Sequence, residues 1–218
     1  MSRTPLKKQN INEKNIMDIA YECARFIVFR EGSKTCIRRD DIIKHLETTC
    51  HMVRSHFKEV LGPAEEILKQ VYGYKLVDTG KNSYIVVLNT PCEHHEGIYD
   101  PELRIILIAA LTHIYMSGGT VTEENMWRFL KEADLVGELE VDKKNILRKT
   151  FTEQLYLEYK RLEGEDAECI FKWGLRAENE VPKMTLLKLM SKEFDKEITF
   201  WPDQCRIAEE EEQKQKLQ

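Results

Sequence analysis

Nothing in these 218 residues runs apolar for the length a bilayer crossing needs, about 20 residues. No secretory leader is recognisable. The six cysteines, Cys23, Cys36, Cys50, Cys92, Cys169 and Cys205, contain no CxxC and no close pair. That argues against a disulfide framework and leaves reduced thiols in an intracellular protein as the expectation. The catalytic signatures GxSxG, HExxH and GxGxxG are missing, and so is the phosphate-binding P-loop. An enzyme is not indicated. Positive charge is also in short supply, with a net charge of −5. Nucleic-acid binding would therefore need a local basic patch.

What remains is an ordinary globular composition, 42% hydrophobic and 33% charged. The most apolar segment is LRIILIAALTHIYM, Leu103 to Met116, closed by Gly118 and Gly119. As a helix it would be greasy on nearly every side, so it predicts a central core helix with neighbours on several faces.

Residues 1–14 are polar and read as a disordered lead. Asn15 to Phe29 predicts a helix, with Ile16, Ile19, Ala20, Cys23, Phe26 and Ile27 on one face. A second apolar stripe, Met17, Tyr21, Ala24 and Val28, points about 100–120° away from the first. It is covered either by the other half of the chain or by a partner helix read at steps of three and four. A short helix from Arg39 to Leu46 follows. Met52 to Leu61 and Ala64 to Val71 read as helical around a Gly62-Pro63 turn or kink. YKLVD and SYIVVLN, separated by TGKN, give a β-hairpin signal.

Residues 91–101 form the boundary, and the pattern then restarts. After Leu103–Met116 comes a helix over Glu123–Glu132 with Thr122 as N-cap. A third helix is capped by Asp142 and carries Ile146, Leu147, Phe151 and Leu155. A second hairpin turns at EGED, and a last helix runs from Arg176 to Phe194. Ile37 and Val121, Ile43 and Trp127, Leu46 and Leu130, Tyr72 and Tyr156, and Val86 and Ile170 all stand 84 positions apart. A duplicated unit of three helices and a two-stranded wing follows, mainly α with small β wings, in other words tandem winged helices. The first spans 15–90 and the second 102–194. Residues 195–218 read as an acidic, solvated tail in which Phe200-Trp201-Pro202 docks back.

Chemistry-bearing clusters are sparse. Cys92, His94 and His95, and likewise Cys50, His51 and His56, fall short of the four ligands of a structural zinc site, so no metal is expected. His113 reads as a core or interface histidine, not a base. Lys143, Lys144, Arg148 and Lys149 crowd the third helix of the second unit, with Lys160, Arg161 and Lys172 in its wing. They form either a phosphate-contacting patch or a solvated polar face.

The segments IILIAALTHIYMSGGTVTEENMWRFL, LYLEYKR and FKWGLRA make the chain, over roughly residues 16–194, similar to the melanoma-associated antigen (MAGE) homology domain. That resemblance implies tandem winged helices and an adaptor with no cofactor. It implies a RING-type ubiquitin ligase partner on the first unit. The family's dileucine pair falls nearest Ile27-Val28, which puts the interface at Met17, Tyr21, Ala24, Ile27 and Val28. The tail WPDQC resembles the ancestral branch of the family, found in the nuclear Smc five–six chromosome-maintenance and DNA-repair complex. For that branch the RING subunit is non-SMC element one. A kleisin, non-SMC element four, is expected on the second unit near Leu147, Phe151, Leu155 and Trp173. Double-stranded DNA is expected at the basic residues named above. An adaptor working outside any SMC complex, in nucleus or cytoplasm, and a winged-helix DNA-binding regulator are the alternatives.

Overall fold

The structure is a computed structural model and describes residues 13–89, 100–137, 141–163 and 168–216. It divides into two compact units, residues 1–89 and 90–218.

The first unit runs α1 (Glu13–Glu31), β1 (Ile37–Arg38), α2 (Arg39–Cys50), α3 (Phe57–Ile67), β2 (Tyr74–Asp78) and β3 (Ser83–Leu88). On α1, Ile19, Ala20, Cys23, Ala24 and Ile27 recur at helical spacing. All five are buried against Ile42, Ile43 and Leu46 of α2 and Phe57, Val60, Ala64 and Ile67 of α3. Burial pushes the Cys23 thiol up to about 12, so it behaves as a small inert hydrophobe.

Of the turn or kink expected at Gly62-Pro63, the turn does not occur, because α3 continues through Pro63 as one helix. An interior proline costs about 3 kcal/mol. Burying Phe57, Val60 and Ile67 on one face gains about 1.5–3 kcal/mol for each and outweighs it. The helix also starts later than the pattern suggests. His51, at φ 53, ends α2, and a 3₁₀ turn over Arg54–His56 precedes α3.

Strand β1 was not visible in the sequence. It is two residues long and pairs Ile37 with Tyr84 and Arg38 with Ser83, giving the sheet order β1-β3-β2. With β1 on one side and β2 on the other, β3 is the centre strand. Its residues from Ser83 to Val87 are all buried and show no alternation.

The second unit repeats the plan. It runs α4 (Pro101–Met116), β4 (Val121–Thr122), α5 (Glu123–Glu132), α6 (Val141–Asn145), a π-helical turn (Ile146–Thr150), α7 (Phe151–Glu153), β5 (Leu157–Arg161) and β6 (Cys169–Trp173). The strand order is β4-β6-β5. Asp100 caps α4 by accepting from the Glu102 N–H at 3.0 Å, with Pro101 at the first helical position. Thr122 caps α5 as anticipated. Asp142 is a first-turn residue inside α6. The 84-residue offset holds where β1 meets β4 and α2 meets α5, but it fails in the wings. Matching rungs put Tyr84 with Phe171 and Asp78 with Tyr159, offsets of 87 and 81. The second wing is therefore six residues longer between matched rungs.

Beyond β6 the chain continues as α8 (Leu175–Glu180), α9 (Lys183–Phe194), a 3₁₀ turn (Ile198–Phe200) and α10 (Pro202–Lys216). The single final helix predicted from the pattern is broken at Val181-Pro182. Val181 sits at φ −112, ψ 104, the extended region that a following proline imposes. The stretch from 195 is not simply a solvated tail. α10 buries Cys205 and Ala208 in the core of this unit. Tyr115 Oη donates to the Gln204 carbonyl, and Gln204 Nε2 donates to the Met116 carbonyl at 3.2 Å. Trp201 docks half-buried against this core, whereas Phe200 stays exposed.

LYLEYKR and FKWGLRA meet around one buried pair. Arg176, 1% exposed, binds Glu180 at 3.0 Å, and its Nε donates to the Gln154 carbonyl at 2.9 Å. Tyr156 Oη donates to the other Glu180 oxygen at 2.6 Å. The Arg176 N–H holds the carbonyl of Leu155, itself at φ +61, at 2.9 Å. A Cβ on Gly174 would lie 2.2 Å from that same carbonyl oxygen. Gly174→Ala should therefore destabilise the chain by about 3 kcal/mol. Thermal unfolding should show Tm lowered by on the order of 10 °C; an unchanged Tm would mean that this turn yields freely.

Candidate partner interfaces

The outer side of α1 is the first candidate surface. Met17 and Tyr21 are 42% and 53% exposed, and Val28 is half-buried. Ala24 and Ile27 are fully buried in the core of the first unit. Of the five residues expected to meet a RING partner, three thus form a surface ridge and two hold the fold. Phe29, 90% exposed, was missed. The signal for it was the run Phe26-Ile27-Val28-Phe29, four apolar residues that cannot all face one core. Phe29 points about 200° around the helix from Ile27.

The opposite edge of α1 faces α2. Phe26 and His45 stack with centroids 4.3 Å apart, and the Arg30 guanidinium lies 4.7 Å over Phe26. Glu22 accepts from His45 at 2.8 Å and pairs with Arg25 at 2.6 Å. Burial acts to raise the Glu22 pKa, but the hydrogen bonds and charges of His45 and Arg25 outweigh it and hold this carboxyl below its ordinary value.

In the second unit the residues expected to meet a kleisin are mostly core. Leu147, Phe151 and Trp173 are buried, and Trp173 Nε1 donates to the Leu111 carbonyl at 2.9 Å. Leu155 is half-buried at its positive-φ turn. The open surface on that side is a cleft of about 360 Å³ lined by Thr122, Glu123, Trp127, Arg148, Glu168 and Cys169. The Trp127 Nε1 is buried there with no hydrogen-bond partner among the described residues. The sequence shows Trp127 only as the counterpart of Ile43 in the duplication, which gives no sign of an open cleft.

The basic residues sort by partner. Lys143 Nζ donates to the Leu135 carbonyl at 3.3 Å. Lys144 Nζ lies 5.7 Å from the Trp127 centroid. Arg148 covers the same ring at 5.4 Å and binds Glu123. Lys160 pairs with Glu158 at 2.6 Å. Lys149, Arg161 and Lys172 are exposed and, among the described residues, carry no ion pair. His113 stacks on Phe129 at 4.1 Å; burial, aided by the charge of Arg128 and opposed by a hydrogen bond with Asn125, holds its imidazole below the usual range. Among the described residues no three metal-ligating side chains converge, and Cys92, His94 and His95 lie outside them.

Compared with known proteins, the chain matches the MAGE homology domain over residues 23–91 and 79–184. It is 31% identical over 205 residues to the Mus musculus non-structural maintenance of chromosomes element 3 homolog, covering 88% of this chain and 72% of that one. The Homo sapiens protein of the same description is 30% identical over 211 residues, covering 90% and 68%. A chain of the solved Nse1-Nse3-Nse4 complex superposes with a TM-score of 0.76 at 26% identity, covering 91% of this chain and 100% of that one.

The split of α1 between core and surface can be read in stability. Met17→Asp and Tyr21→Asp should each change unfolding free energy by no more than about 0.5 kcal/mol. Ile27→Asp, which buries a carboxylate, should cost about 4 kcal/mol or more. Urea denaturation distinguishes them; equal costs would contradict the exposure of the ridge.

Proposed function

This chain belongs to the MAGE homology domain family, and on that premise we propose that it is a non-catalytic adaptor in an Smc five–six chromosome-maintenance and DNA-repair complex. Its first unit binds a RING-type ubiquitin ligase subunit of the non-SMC element one kind. Its second unit binds a kleisin of the non-SMC element four kind, and exposed cations touch double-stranded DNA. Such a complex places it in the nucleus. The likeness to a chain of the Nse1-Nse3-Nse4 complex and to chromosome-maintenance relatives supports the partners.

The observation that carries the ligase reading is the apolar ridge of Met17, Tyr21 and Val28 on a helix whose inner face is already full. An exposed aromatic beside aliphatic side chains at helical spacing is the usual chemistry of an interface anchor. For the kleisin, the Trp127 cleft takes the place of the buried residues first expected. The Trp127 ring lines this cleft under Lys144 and Arg148 and gives a docked segment an aromatic surface to cover. For DNA, Arg148 is engaged with Glu123, which leaves few side chains free to read base edges. Lys149, Arg161 and Lys172 therefore make backbone contacts, which favours the adaptor over a sequence-specific regulator.

Two experiments test this. Tyr21→Ala should weaken co-purification of the RING subunit at least tenfold, about 1.4 kcal/mol, while kleisin binding is retained. Undiminished RING capture would remove the ridge from the interface. Replacing Lys149, Arg161 and Lys172 together by Gln should lower the slope of log K against log salt for duplex DNA by about 2–3. An unchanged slope would identify this patch as a solvated face.

A further inference from the structure

We propose that the cleft between α1 and α2 of the first unit is a second docking site, one that takes an acidic peptide segment of a partner protein. It lies apart from the ridge proposed for the RING subunit. Glu22, Phe26 and Arg30 point about 160° around α1 from Met17, Tyr21 and Val28, so the two surfaces can be occupied, and tested, independently.

The cleft has a volume of about 520 Å³ and is lined by Phe26, Arg30, Arg38, Lys44, His45 and Thr48 among others. Its floor is the stacked Phe26–His45 pair, with the Arg30 guanidinium over Phe26. Two carboxylates reach it, and both are already engaged. Asp41 accepts from Arg38 Nε at 3.1 Å, and Glu22 is held by Arg25 and His45. Arg30 and Lys44 carry no carboxylate among the described residues. Thr48 and Thr49 donate to the Lys44 and His45 carbonyls at 2.8 and 2.7 Å, and their oxygens keep lone pairs free to accept. Three cations, Arg30, Arg38 and Lys44, thus line the cleft with one carboxylate, Asp41, and with Glu22 beside it on His45, a local excess of positive charge on a chain whose net charge is −5.

An acidic segment fits this arrangement on two counts. Its carboxylates meet Arg30 and Lys44, where a bidentate guanidinium–carboxylate pair is available. An apolar side chain on the same segment meets the Phe26–His45 floor. Nucleic acid fits less well. A phosphate backbone needs a row of unpaired cations, whereas this cleft offers two and sets Asp41 and Glu22 close to where phosphates would run.

The test uses the full chain and a fluorescein-labelled peptide, EEFEELEE, with QQFQQLQQ as its uncharged counterpart, read by fluorescence anisotropy. The acidic peptide should bind at least tenfold more tightly than the glutamine one. The double variant Arg30→Gln, Lys44→Gln should lose at least tenfold of that affinity while keeping the wild-type Tm and the wild-type capture of the RING subunit. Lys149→Gln should leave peptide binding unchanged. A 20-base-pair duplex should not displace the peptide. Equal affinity for the two peptides, no binding of the acidic one, an unaffected double variant, or displacement by an equimolar amount of duplex would each overturn the proposal. The last of these would assign the cleft to nucleic acid.

Discussion

A pairing only two residues long ties the wing of each unit to its helices. Ile37 and Arg38 bond to Tyr84 and Ser83, and Val121 and Thr122 bond to Phe171 and Ile170. An isolated two-stranded hairpin is marginal in water, and a third strand with an apolar face gives it a body to join. In both units that third strand immediately precedes a helix, so the wing is tied to the helical core through the residue that opens α2 or α5. Arg38 flanks α2 in extended geometry, and Thr122 does the same for α5. Because the wing is anchored at its inner strand, its outer strand and turn are free to vary. Within the repeated plan, that is where the second unit is six residues longer.

The anchoring strands explain much of what the sequence did and did not disclose. Two residues cannot establish an alternation, so β1 and β4 left no period to detect. The 19-residue helix is legible from its stripe of buried residues, the 16-residue one from its unbroken apolar run, and the hairpins from β-branched and aromatic residues around a short turn. Val181-Pro182 broke the last helix by a rule that could have been applied from the sequence, whereas Gly62-Pro63 obeyed the packing instead. The acidic end misled for another reason. A run of four glutamates reads as a solvated segment, yet Cys205 and Ala208 lie one turn apart on its inner face, and Glu211 accepts the Lys183 backbone N–H at 3.1 Å. Among the site residues, Met17 and Tyr21 were recovered because a second stripe at helical spacing is visible in one dimension. Ala24 falls in that stripe yet is buried, because a stripe has no sharp edge until the neighbouring helices are in place; Ile27 belongs by its spacing to the inward face, where the structure has it, and only the dileucine resemblance drew it into the interface.

The first helices of the two units begin alike and end differently. α4 is apolar on nearly all sides: Ile106, Leu107, Ala110, Leu111, Ile114 and Tyr115 are buried, Leu103, Ile108, Ala109 and Met116 pack half-buried on the same core as α5, β6 and residues of α8 to α10, and Ile105 stays exposed. The first unit has no counterpart to α8, α9 and α10 among its described residues. α1 packs on α2, α3 and β3 and leaves the rest of its circumference bare. One plan therefore yields a helix with more of its apolar surface covered where the chain supplies extra elements, and an uncovered ridge where it does not. The exposure of Tyr21 and Phe29 is a consequence of topology, not of local sequence hydrophobicity, which is higher in α4.

The same contrast governs the residues that answer to each other across the duplication. Ile43 on α2 is buried, while its counterpart Trp127 on α5 sits in an open cleft beneath Lys144 and Arg148. An isoleucine can only fill that place. A tryptophan exceeds it in volume and presents an aromatic face to Lys144 and Arg148. The first unit shows its aromatic surface along α1, and the second shows it at the foot of α5 beside the wing. Two copies of one architecture thus offer unlike surfaces on unlike elements, and that is the condition under which a single chain can hold two different partners without their competing for the same site.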